Sequence, residues 1–169
     1  MLENAGLYAA LWIAFHFGIG YIAYRLPPAF LRDLPFVSQC YRWETTGRLY
    51  ERLGIRDWKD RLPEAGDFYA GGFSKRHLHG HDPAYLRRFV IETSRAETSH
   101  WLTWGMALTF FAWNPWDVGV AMMIYGAIAN LPCILIQRYN RVRLRRAIRI
   151  LARRADRDGA PLPVNAVAH

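Results

Sequence analysis

A chain of 169 residues fits a single domain. Hydrophobic residues make up 52% of it, yet mean hydropathy is only -0.07, so apolar blocks must alternate with strongly charged ones. The net charge of +8 rests on arginine and suits an anionic membrane surface or phosphate groups; a nucleic-acid binder could share that charge, so charge alone decides little, and the two cysteines, Cys40 and Cys133, give no disulfide framework or zinc pattern.

The first apolar run, residues 6–24, carries no charge and is long enough to cross a hydrocarbon core of about 30 Å. It lacks a basic start and a small-residue cleavage site, so it reads as a retained transmembrane helix rather than a signal peptide. Residues 25–82 interleave charges with aromatics and are punctuated by prolines and glycines. That pattern fits short interfacial helices and ordered loops at headgroup level, where Trp and Tyr favour half-wet sites.

Asp82-Pro83 is a helix start, an N-cap residue followed by Pro at the first position. The helix is expected to run to Trp113, amphipathic at first and apolar from Trp101, with residues 99–113 forming a second span. Asn114–Asp117 reads as a turn. A third span covers 118–137, with a kink at Pro132. Nine arginines follow between 138 and 157, with Leu144, Ile148 and Leu151 at helical spacing. This predicts a separate basic amphipathic helix lying at anionic headgroups.

The expected fold is therefore mainly α: an integral membrane helical protein with about three transmembrane helices, cytoplasmic interfacial helices and a basic amphipathic C-terminal helix. Residues 1–157 form one membrane-embedded domain and 158–169 a flexible tail. The positive-inside rule places the N-terminus outside, and segments 25–97 and 138–157 in the cytoplasm, in a multi-pass cell-membrane protein.

Two clusters carry the chemistry. In Glu92-Thr-Ser-Arg95-Ala-Glu97-Thr-Ser-His100-Trp101, a helix puts Glu97 and His100 on one face. Glu92 lies about 80° around the helix from His100. A histidine oriented by a carboxylate is a good general base; the bland alternative is an ion network that anchors the helix. The second cluster is Asn130-Leu-Pro132 followed by Gln137-Arg138-Tyr139-Asn140-Arg141-Val-Arg143. Asn130 is a polar residue within an apolar helix and is expected to hydrogen-bond a neighbouring helix or a ligand. The guanidinium forks suit phosphate, unless they serve only to set topology. A third, weaker group joins Trp43 and Glu44 to Trp58 and Lys59. P-loop, serine-hydrolase and zincin motifs are absent. Glu97-x-x-His100 is also a metal-ligand spacing, but di-metal bundles need a second such pair.

At these motifs the sequence resembles the glycosyl-4,4'-diaponeurosporenoate acyltransferases, the membrane enzymes that complete staphyloxanthin-type carotenoids. The resemblance rests on IETSRAETSHW at 91–101 and IANLPCILIQRYNRVRL at 128–144, continued by RILARR at 149–154. WETTGRLYERLGIRDWKDRLPEAG at 43–66 and SKRHL at 74–78 add weaker matches. It implies transfer of a fatty acyl group from a cytoplasmic thioester, acyl-CoA or an acyl carrier protein, to a sugar hydroxyl of a glycosylated carotenoid or related isoprenoid lipid. His100 is then the candidate base, oriented by Glu97 or Glu92. Arg95, Asn130 or Tyr139 supply oxyanion donors, and Arg138, Arg141 and Arg143 hold the coenzyme phosphates. Gln137 and Asn140, with Trp43, Glu44, Trp58, Lys59, Arg76 and His77, join the substrate-binding set. No bound cofactor or metal is expected and transfer is expected to be direct; if the helix ends at 92–100 and 137–143 meet, they form one site at the headgroup level. Two competing readings are a membrane metalloenzyme using Glu97, His100 and His77, and a non-enzymatic lipid-binding scaffold.

Overall fold

The computed structural model describes residues 4–44, 46–62 and 83–158. All regular structure among them is helical, without a strand. Helix α1, Ala5–Arg25, matches the first expected span and ends with Arg25 in its last turn, where a cation meets the helix dipole favourably. Leu26 is extended, with ψ 132°, because the following Pro27 crowds the helical region. Helices α2, Pro28–Asp33, and α3, Pro35–Ser38, each begin on a proline, whose missing N–H costs nothing in a first turn. Gly47 and Gly54 hold φ of +70° and +65° ahead of α4, Arg48–Arg52, and α5, Ile55–Trp58, positions where a side chain would be strained. A short 3₁₀ turn, Lys59–Arg61, follows.

Helix α6, Pro83–Gly105, begins where the sequence placed it but stops eight residues short of Trp113. Met106–Ala112 is a 3₁₀ helix instead. The Thr109 hydroxyl donates to Met106 O (2.7 Å), competing for a carbonyl of the regular ladder. The three-residue period also aligns Ala107 with Phe110, and both are fully buried. Helix α7, Trp116–Arg157, differs from expectation in the other direction. The third span and the basic helix form one 42-residue element that runs through Pro132. No breaker separates Gln137 from Arg141, so nothing local ends the helix. Asp82 and the expected tail 158–169, except Asp158, lie outside the described residues.

The chain divides into two compact units. One comprises Met1–Gln39 and Thr93–Arg138, the other Cys40–Glu92 and Tyr139–His169. In the first, Tyr8, Trp12, Ala107, Phe110 and Val118 form the buried cluster, lined by Leu11, Phe15, Trp104, Met122 and Met123. Tyr8 Oη donates to Asn114 Oδ1 (2.5 Å), tying α1 to the turn before α7. In the second, the apolar stripe of α7 at Leu144, Ile148 and Leu151 packs on Leu86 and Phe89. That stripe, read from sequence as facing lipid headgroups, is thus used against protein.

Two helices, α1 and α7, contain stretches long and apolar enough to cross a membrane by length and composition.

Candidate active site

In the first unit, Trp104 Nε1 of α6 donates to Met123 O of α7 at 3.1 Å, and two further polar contacts between these helices bear on the candidate site. The first is an ion pair: Arg138 Nε donates to Glu97 Oε1 at 2.7 Å, with the Glu97 side chain fully buried and that of Arg138 9% exposed. Trp101 Nε1, one turn beyond Glu97, donates to the same oxygen at 3.1 Å. Arg138 Nη2 donates to Phe36 O (2.9 Å), and its guanidinium lies 5.4 Å from the Phe36 ring centroid. Phe36 in turn packs on Trp101. Burying two charges is costly unless each finds several partners, and here each does.

The second contact joins His100 and Asn130. Asn130 is fully buried, and its Nδ2 donates to Gly126 O one turn earlier (2.9 Å). With the amide so oriented, Asn130 Oδ1 is an acceptor. His100 Nδ1, 3.0 Å away, is therefore the protonated ring nitrogen and donates to it. The lone pair of the neutral ring then resides on Nε2, the arrangement of a general base held by its other nitrogen. The group found at Nδ1 is thus an amide from α7, where sequence spacing pointed to a carboxylate from α6.

Arg95 takes a role the sequence did not indicate. Its Nη1 lies 2.7 Å from Ala23 O, 2.9 Å from Tyr24 O and 2.7 Å from Leu26 O, carbonyls at and just past the end of α1. It clamps that helix end to α6, and Ser94 Oγ, donating to Val37 O at 3.0 Å, clamps α3 beside it. Gln137 is half-buried, and its Oε1 is enclosed without a hydrogen bond.

The second unit has its own polar centre. Glu44 is buried, accepting from Tyr41 N at 2.9 Å and from the Tyr50 hydroxyl. The Tyr50 ring packs on Tyr139 at 6.1 Å. Arg56 Nε donates to Tyr139 Oη at 3.3 Å, and the Arg143 guanidinium lies 5.4 Å from the Tyr139 ring. Gly47 faces that same ring and Val142. Arg141 is 1% exposed and hydrogen-bonds the Cys40 thiol; burial pushes that thiol up, against the pull of Arg145 and Arg141. Trp43 stands exposed, stacked with Tyr41. Trp58 folds back on its own turn, its Nε1 donating to Leu53 O. Lys59, Glu92 and Asn140 are half-buried. Arg76 and His77 lie outside the described residues.

Within the first unit His100 thus meets Asn130, and Glu97 meets Arg138 and Trp101. Sequence spacing missed Phe36, Trp101 and Gly126. Trp101 stood four residues after Glu97, and Gly126 four before Asn130, the spacings at which helical neighbours meet.

Residues 34–150 match the family described as glycosyl-4,4'-diaponeurosporenoate acyltransferase. The chain belongs to this family. Proteins of that name from Staphylococcus aureus strains bovine RF122 / ET3-1 and USA300 are each 28% identical to it over 157 residues, which is 92% of this chain and 94% of theirs. The relative from strain Newman is 27% identical over the same span. No solved structure matches the chain. It is accordingly an acyltransferase, and the matched stretch contains Glu97, His100, Asn130 and Arg138. Among the described residues of the acyltransferase, no three His, Cys, Asp or Glu side chains converge in a way that would hold a metal ion.

Proposed function

We propose that this acyltransferase moves a fatty acyl group from a cytoplasmic thioester to a sugar hydroxyl of a glycosylated carotenoid or related isoprenoid lipid, with His100 as general base. The acceptor class follows from the name its relatives carry. The observation that supports the mechanism is the 3.0 Å contact of His100 Nδ1 with Oδ1 of buried Asn130, whose Nδ2 donates to Gly126 O. Nε2 takes the proton of the attacking hydroxyl. The oxygen adds to the thioester carbonyl, and the tetrahedral intermediate collapses with cleavage of the C–S bond. The imidazolium returns its proton to the leaving thiolate, so no net charge is made. Transfer is direct, without an acyl-enzyme. Glu97 is assigned the task of holding Arg138, and thereby the α6–α7 contact that brings His100 to Asn130.

We place α1 and the first half of α7 across the membrane, with the N-terminus outside. Residues 99–112 make the crossing between them. Their 3₁₀ portion rises about 2.0 Å per residue against about 1.5 Å in an α-helix, so the segment reaches further than its length in residues implies. Donor and acceptor then meet near the cytoplasmic face, each with its chain in the bilayer.

The test is lipid analysis. Cells making the protein should contain a glycolipid heavier by one acyl unit than that in cells lacking it. His100→Ala should lose the product by about 10²- to 10⁴-fold while the protein still folds and accumulates. Turnover retained in that variant would remove His100 from the mechanism. A stoichiometric metal in the purified protein, lost with His100, would favour the metalloenzyme reading instead.

A further inference from the structure

We propose that a groove between α1 and α7 holds the isoprenoid chain of the acceptor lipid, a proposal that rests on the acyltransferase reading above. The groove lies in the first unit, has a volume of about 600 Å³ and is lined by Tyr8, Trp12, His16 and Phe17 of α1 and Met122 and Tyr125 of α7, among others. Ligand sites have this size and this character: mostly apolar walls with few polar groups. His16 fits such a wall because its Nδ1 lies 2.8 Å from Trp12 O and makes its hydrogen bond within α1.

Three observations select the occupant. First, the groove wall adjoins the support of the proposed base. Trp12 lines the groove, and its ring fills the space a Cβ on Gly126 would need, the residue whose carbonyl accepts the amide of Asn130. Second, the direction is right. Met122 and Tyr125 lie eight and five residues before Asn130, about 12 and 8 Å along the helix axis. With the sugar at His100, the rest of the lipid runs along these residues into the outer half of the bilayer. Third, the lining is aromatic. Trp12 and Tyr125 meet edge to face at 4.9 Å, and the Phe17 ring is 58% exposed. Flat ring faces suit a stiff, unsaturated isoprenoid chain, which loses less conformational freedom on binding than a flexible acyl chain.

The experiment uses the full chain in lipid nanodiscs, a glycosylated polyene as acceptor and an acyl-CoA as donor. Ala9 lines the groove, and Ala9→Trp fills it. Ile128 is 70% exposed on α7 and does not line it, so Ile128→Trp is the control. Wild-type protein should induce circular dichroism in the polyene absorption band, and Ala9→Trp should abolish that signal. KM for the glycosylated polyene should rise about tenfold in Ala9→Trp, the equivalent of about 1.4 kcal/mol, with KM for the donor unmoved. Phe17→Ala, which removes wall rather than adding bulk, should shift the same constant in the same direction. A rise confined to the donor KM would assign the groove to the acyl chain and overturn the proposal. So would an equal effect of Ile128→Trp, or a wild-type protein that induces no signal. A wild-type protein that binds the polyene but transfers nothing would support the groove and sink the transfer reading, so the two fail separately.

Discussion

The ion pair between Glu97 and Arg138 and the hydrogen bond between His100 and Asn130 sit one turn apart on α6 yet do different jobs. Glu97 spends its carboxylate on Arg138 and Trp101. Replacing it with Gln keeps the volume but removes the carboxylate charge that the buried Arg138 guanidinium donates to. Glu97→Gln should therefore destabilise the protein by about 3–5 kcal/mol. Glu97→Gln with Arg138→Met should recover most of that loss, because neither charge remains. Thermal unfolding in one detergent would measure both, and a double variant no more stable than the single one would refute the pairing as the cause. Asn130→Ala is a different case. It frees the His100 ring to rotate and change tautomer, so kcat should fall about 10-fold or more while KM for the donor holds; an unchanged kcat would remove Asn130 as the positioning residue. The sequence made the residues legible but not the pairs. Spacing along one helix nominates neighbours three and four apart, so it joined His100 to Glu97. The partner at Nδ1 lies thirty residues away, and only the packing of α6 on α7 within the first unit brings it there.

At the scale of elements, α1 was readable almost to the residue, since an uncharged run ending at Arg25-Leu26-Pro27 fixes both its composition and its stop. The start of α6 was readable for the same kind of reason. The 3₁₀ helix at Met106–Ala112 was not, because MALTFFA has the apolar composition of any membrane helix. What decides it is the Thr109 hydroxyl and the burial of Ala107 with Phe110. The glycines of these helices show how tightly the elements meet. A Cβ at Gly126 would lie 2.8 Å from both Trp104 Cδ1 and Trp12 Cη2. Gly126→Ala should cost about 1–3 kcal/mol through overpacking, and should also displace the carbonyl that anchors Asn130. Gly18 in α1 meets nothing within 4 Å, and Gly18→Ala should be neutral or gain up to about 1 kcal/mol from helix propensity. Melting temperatures of the two variants, taken side by side, give the answer; equal shifts would mean that α1, Trp104 and α7 do not pack as described.

For the whole molecule, hydropathy and function pull on the same question, the number of crossings. Among the described residues, α1 and α7 are the helices with stretches long and apolar enough to cross by length and composition. With just those two, everything between Arg25 and Trp116 would remain on one side. The arginine distribution argues otherwise: residues 114–117 carry no basic side chain, whereas the segment before α6 and the tail carry many. Proposed crossing by residues 99–112 reconciles these, and it also puts His100 near the face from which a soluble thioester would arrive. Cysteine labelling separates the two topologies. In a variant lacking Cys40 and Cys133, Arg32→Cys and Asp117→Cys each introduce one exposed thiol. A membrane-impermeant maleimide applied to intact cells should label the cysteine at 117 and not that at 32, which should react only after permeabilisation. Labelling of both from the same side would leave two crossings. Labelling of position 32 alone from outside would invert the protein and remove a cytoplasmic thioester as its donor.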